Sequence, residues 1–152
     1  RAAWQPVFHW TATHPDQTVF LGAAVPHHQG LLDALVKISQ GHEQILPDRI
    51  PVPFSMWHPW QPWQSFRMRV LGNPETATAD HKRVFYLICY EQLLMWPAIS
   101  DLLGLYPHVP QVLLAPANDW WAVGTDIPAI QKASVEAWGE FLDVPILRAV
   151  NR

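Results

Sequence analysis

Short apolar runs separated by turn formers set the pattern along the chain. Residues 18–26 (TVFLGAAVP) form one such run, closed by Pro26 and too short for a helix, and they read as a buried strand of modest length. Residues 31–39 (LLDALVKIS) read as a second strand. The stretch 83–90 (RVFYLICY) is β-branched and aromatic with almost no polar interruption, which predicts a strand covered on both faces. Residues 41–66 break this regime. Closely spaced prolines there deny a helix and remove ladder donors, so an ordered loop or sheet edge is expected.

From position 91 the spacing lengthens. Apolar residues of 91–105 (EQLLMWPAISDLLGL) recur at helical intervals, with a break expected where Pro97 forces Trp96 out of helical geometry. Residues 111–117 (QVLLAPA) return to strand character. A loop over 118–128 then leads into a helix, with Thr125 or Asp126 as N-cap and Pro128 in the first turn. Along that helix Ile130, Ala133, Ala137, Trp138 and Phe141 make one apolar stripe, and residues 144–150 (VPILRAV) close as another strand. Strand, helix, strand, helix, strand is the order of an α/β sheet with crossover helices.

Length and charge narrow the classes. A chain of 152 residues is one domain or a piece of one, and its opening on Arg1 in mid-pattern predicts that it was cut from something longer. The charged fraction of 15% is below the roughly 25% usual for soluble domains, which fits a surface covered by another copy of the chain or by a membrane-embedded partner. A net charge of −3 without a Lys/Arg block argues against a nucleic-acid partner. No apolar run approaches the roughly 20 residues that span a bilayer, so the chain as given reads as soluble, with its compartment open: an extracytoplasmic or membrane-associated part of a longer bacterial protein fits as well as any other.

The candidate chemistry centres on Cys89, the one cysteine, which cannot form an internal disulfide. It falls at the carboxyl end of a predicted strand, where α/β sheets collect functional side chains. A helix starting just beyond it would offer partial positive charge and free amides, favouring a thiolate and an oxyanion. Glu91 would share the same mouth, and Asn118 and Asp119 would stand at the matching end of the next strand. Free cysteine is also among the most buried residue types, so spacing alone leaves nucleophile and apolar filler both open. His27 and His28 are adjacent and face opposite ways on a strand, and no third ligand has metal spacing, so neither metal nor cofactor is expected. Nine tryptophans include Trp57, Trp60 and Trp63 in the proline-rich loop and Trp120 and Trp121 after Asn118. They read either as core or as an aromatic pocket, in which Trp57 and Trp120 are the substrate-binding candidates.

The strings LICYEQLL, VLLAPANDWW, IPAIQKASVEAW and PILRAVNR, in that order, resemble the carboxyl half of the carbon-nitrogen hydrolase (nitrilase) superfamily. The branch they resemble is that of apolipoprotein N-acyltransferases and TraB-type conjugal transfer proteins. Upstream, VFLGAAVP is similar to a family strand, and LPDRIPVPFSMWHPW to a family loop, its wording nearest the TraB type. The resemblance runs from about residue 18 to 152. It implies an α/β fold, a nitrilase-like α-β-β-α sandwich, here a single partial domain over 1–152 incomplete at its N-terminus. It also implies a Glu-Lys-Cys triad acting on a small amide or acyl substrate. There a thiolate attacks the carbonyl, a glutamate moves protons, a lysine holds the oxyanion, and water or an amine resolves the acyl-enzyme.

Carried over residue by residue, the nucleophile falls on Cys89, Glu91 matches the glutamate of ICYE, and Asn118 is a secondary, substrate-side candidate. The family lysine falls on Asp48, which leaves neighbouring Arg49 as candidate cation, although its planar fork is not a lysine's point charge. The glutamate of the family loop falls on Met56, and no glutamate precedes Glu43 to match the family's general base. Three readings follow: a cysteine-dependent enzyme with a TraB-like role in conjugal transfer, a catalytically decayed scaffold in a conjugation or envelope assembly, and an aromatic-groove binding module.

Overall fold

A computed structural model of the chain describes residues 4–28, 30–53, 55–58, 60, 61, 65, 66, 68, 77–105 and 108–151. The apolar run that ends in Ile88 is sorted by the two-residue period of extended chain. Val84, Tyr86 and Ile88 enter one buried cluster with Leu35, Leu46, Ala77 and Leu114. Phe85 and Leu87 point the other way, into a second cluster with Ala98, Leu113, Ala115 and Val135. One strand therefore faces two cores, as its unbroken hydrophobicity predicts.

The first core lies between two sheets. In one, β1 (Thr18–His27), β2 (Gly30–Ser39) and β3 (His42–Pro47) pair antiparallel, with Gly22 opposite Leu35 and Leu35 opposite Leu46. In the other, β4 (Ala77–Ala79) pairs antiparallel with β5 (Lys82–Tyr86), which continues parallel to β6 (Val112–Asn118) and β7 (Ile146–Asn151). The second core lies beneath α2 (Met95–Leu105) and α3 (Ile127–Leu142), the two crossover helices. On the far side, α1 (Gln5–Thr13) packs on β1 and β2, where buried Thr11 accepts the Gly41 amide. Helix, sheet, sheet and helices make the α-β-β-α sandwich expected.

The proline-rich stretch opens as an edge strand, β3, before its loop begins, within the loop or sheet edge expected. Two local expectations need correction. The helical break comes at Leu94, which is extended (φ −107°, ψ 134°), while Trp96 and Pro97 belong to the first turn of α2. Proline is tolerated there because first-turn amides have no intrahelical acceptor. On α3 the buried face is Gln131, Val135 and Gly139, spaced by four; of the predicted stripe only Trp138 packs against the second core, while Ala133 and Ala137 are exposed and Ile130 and Phe141 are 55% and 74% exposed. A buried glutamine and a buried glycine hid the true face from a hydrophobicity count. At the start of α3 the Thr125 hydroxyl accepts the Ile127 amide, while the Asp126 side chain caps nothing.

Candidate functional site

β5 ends at Tyr86, and after two extended residues the chain turns sharply into a five-residue 3-10 turn, Cys89–Leu93. Cys89 is the corner, with φ +44°, a left-handed conformation that costs an L-residue roughly 1–2 kcal/mol. The strain is held from several sides. Gln131 Nε2 of α3 donates to the Cys89 carbonyl at 3.0 Å, and Gln92 Nε2 donates to the carbonyls of Leu87 (3.1 Å) and Pro116 (2.7 Å). Ser134 also donates to the Gln92 carbonyl. A strained elbow tied this firmly fixes the direction of its side chain, the arrangement by which a nucleophile is presented above a sheet.

Glu91 turns inward. Its side chain is fully buried and its Oε1 accepts the Arg49 amide (2.7 Å) and the Ile50 amide (3.4 Å), while Oε2 accepts the Ile88 amide (3.1 Å). Both oxygens also take the Arg49 guanidinium, Nη1 standing 3.1 and 3.0 Å away. Arg49 completes its fork by donating to the Tyr86 carbonyl and lies over the Tyr86 ring, 4.7 Å from its centre. Arg49 and Glu91 thus join the elbow to the end of β3 and are absent from the lining of the cleft below. The expectation that Arg49 supplies the cation at the site is corrected: a charge-assisted pair with the buried Glu91 carboxylate, whose two oxygens share its Nη1, holds it in the interior.

The cleft in front of the elbow measures about 1030 Å³. Cys89, Asn118, Trp120 and Trp121 line it from the parallel sheet, as expected from position, together with Asn151 at the end of β7. Gly22 and Asp33 line it from β1 and β2, and Ser55 and Met56 from the loop after β3. Trp57 does not line it: the chain doubles back where the Met56 and Trp57 amides bond to Val52, which puts Met56 at the cleft instead. Trp63 lies outside the described residues. Asn118 and Asn151 are opposite one another in the β6–β7 register, and their amides bond at 3.0 Å. Asp119 is buried behind them, its carboxylate 3.9 Å from Arg148.

Asp33 and Asn151 were missed in the sequence. The signal for Asp33 was its charge in the middle of an otherwise apolar strand, LLDALV. Burial, and next the negative charge of Glu91, push the Asp33 carboxyl up to about 6, against the opposing bond from the Ala34 amide. The Cys89 thiol is also pushed up, first by burial, with Asp33 and Asp119 adding to the shift and the Asn118 amide and Gln131 side chain opposing it. The expectation of a helix start that favours the thiolate is therefore corrected: the turn is only five residues long, and burial outweighs what it offers. Among the described residues no Lys, Arg or His lines the cleft, and no group of three or more His, Cys, Asp or Glu is placed to hold a metal.

Four layers and a cysteine at a strained strand-to-turn elbow make this a nitrilase-like fold. The solved structures similar to it agree. A CN-hydrolase superfamily protein from Xanthomonas campestris, solved with an arsenic adduct in its active site, matches 96% of this chain and 53% of its own at a TM-score of 0.65 and 13% identity. A glutamine-dependent NAD(+) synthetase from Cytophaga hutchinsonii matches 99% of this chain and 25% of its own, with a TM-score of 0.63 and 16% identity. In sequence the similarity is to conjugal transfer proteins. The chain is 38% identical over 141 residues to conjugal transfer protein TraB of Agrobacterium fabrum, covering 90% of this chain and 32% of that protein. It is 34% identical over 157 aligned positions to a probable conjugal transfer protein TraB of Sinorhizobium fredii, covering 97% and 39%. The chain thus spans about a third to two fifths of the length of the curated relatives it matches. No protein-family model matches it.

Proposed function

We propose that the chain is the nitrilase-like part of a protein with a TraB-like role in conjugal transfer, and that Cys89 accepts an acyl group from a small amide or ester. The observation that carries this reading is the elbow. A residue held at positive φ by Gln131 and Gln92, with its side chain on a cleft large enough for a small ligand, is strain kept at the place where chemistry needs it. The thiol adds to the carbonyl, the leaving group departs, and water or an amine resolves the thioester. Asn118 and Trp120, at the rim, contact the substrate.

Incubating the full chain with p-nitrophenyl acetate tests this. One acetyl group on Cys89, read by mass spectrometry and lost in Cys89→Ser, supports it. A folded chain that takes none, while the urea-unfolded chain is acetylated, refutes it. The cleft's lack of a lining Lys or Arg among the described residues favours a second reading, a scaffold that has kept the fold without turnover. The same negative result would support that reading.

A further inference from the structure

We propose that Asp33 is the proton acceptor for Cys89, a catalytic carboxylate supplied by β2 from across the cleft. The inference rests on the acyl-transfer reading above and deepens it. Asp33 and Leu35 are two residues apart on β2 and so share a face. Leu35 packs in the cluster that holds Ile88 and, at its border, Cys89, so Asp33 stands on the face of β2 turned toward the elbow's sheet. Both side chains line the same cleft, and among its described lining residues Asp33 is the one carboxylate. Across the β1–β2 ladder its partner is Ala24, with Ala23 and Gly22 next to it, so small side chains leave room for a ligand above the carboxylate.

The charges around Asp33 set its working range. Glu91 raises it from behind the elbow, its own charge held by Arg49. Asp119, beside Arg148, acts on the thiol from the end of β6, and Asp48 adjoins through its amide, which donates to the Asp33 carbonyl. With its carboxyl near 6, Asp33 is ionised at pH 7 but remains a far better base than an ordinary aspartate, while the Cys89 thiol on the same cleft, raised by burial, stays protonated. In the forward step the Cys89 proton passes to the Asp33 carboxylate as the sulfur–carbon bond forms and the carbonyl electron pair moves to oxygen. On collapse the leaving nitrogen or oxygen takes that proton from Asp33 as its bond to carbon breaks. The acceptor, water or an amine, then gives its proton to Asp33 as it attacks the thioester, and the departing sulfur takes it back.

The test uses the full chain, Asp33→Asn and Asp33→Glu, with two probes. With p-nitrophenyl acetate, wild-type acetylation of Cys89 should rise with pH through about 6 and level off, and Asp33→Asn should lose that limb and about 100-fold in rate at pH 7. With iodoacetamide, which reports thiolate alone, Asp33→Asn should instead react faster, its midpoint moved to lower pH, because a negative neighbour is gone. Asp33→Glu should recover part of the acetylation. A merely structural role cannot move the two probes in opposite directions. Equal acetylation of wild type and Asp33→Asn overturns the role of Asp33 and leaves the acyl reading standing. A wild-type chain that takes no acetyl group at any pH removes both.

Discussion

Cys89 and Glu91 sit two residues apart on one turn and occupy opposite worlds. Glu91 looks inward, fully buried, with five hydrogen bonds from Arg49, Ile50 and Ile88. Cys89 looks outward into the cleft, half-buried, at a strained φ, with acidic neighbours that raise its thiol. Every interaction that holds the elbow lies behind it. The contrast teaches that the ICYE string encodes two jobs. Its glutamate locks the turn to the end of β3, and the lock holds the cysteine in a conformation it would not choose alone.

The strongest way to break this comparison is to remove the lock. Glu91→Ala leaves the Arg49 charge buried without its carboxylate and orphans backbone amides, so it should cost about 3–5 kcal/mol in urea unfolding. Cys89→Ser should change stability by less than about 1 kcal/mol, since it alters one half-exposed atom. Equal losses at the two positions would mean that the turn is not divided as described.

Most of the fold was legible in the sequence because strand runs and parallel crossovers leave strong periodic signals. The β5-α2-β6-α3-β7 order and the β1–β2 strands are examples, and β5 showed its two-sided burial as an unbroken apolar run. The face of α3 was not legible, because Gln131 is buried for its hydrogen bond to the elbow and Gly139 for the close approach of Ile146, neither of which hydropathy registers. At the site, Cys89, Asn118 and Trp120 fall at the cleft as position suggested. Arg49 and Glu91 do not, because their mutual pairing across 42 residues of sequence is a tertiary fact. Asp33 had no motif to mark it, and it comes to line the cleft only because the second sheet closes over β2.

A smaller and opposite effect sharpens the contrast from the cleft side. Asp33 titrates at about 6 in the fold against 3.8 as a free side chain, so between those values the native state binds the proton more tightly than the unfolded one. Stability therefore falls as pH rises through that window and stays lowered above it. Asp33→Asn removes the penalty and should stabilise the chain by about 3 kcal/mol at pH 8, with the gain vanishing below pH 4. Thermal melts of both proteins across that range read the difference directly. Such a gain would mark a carboxylate kept at a cost to the fold, the pattern of a working site.

The smallest effect isolates the corner itself. Comparing Cys89→Gly with Cys89→Ala removes the sulfur from both, so their difference reports the backbone at φ +44°. At an ordinary position glycine is the weaker residue, by roughly 0.5–1 kcal/mol, because its unfolded chain is freer. At the elbow alanine keeps the left-handed penalty of roughly 1–2 kcal/mol while glycine escapes it. The net should favour glycine by about 0.5–1 kcal/mol in urea unfolding, a reversal of the usual rank. Alanine equal to or better than glycine would mean that the corner is relaxed, and the elbow would lose its claim to stored strain while the Glu91 lock behind it stayed intact.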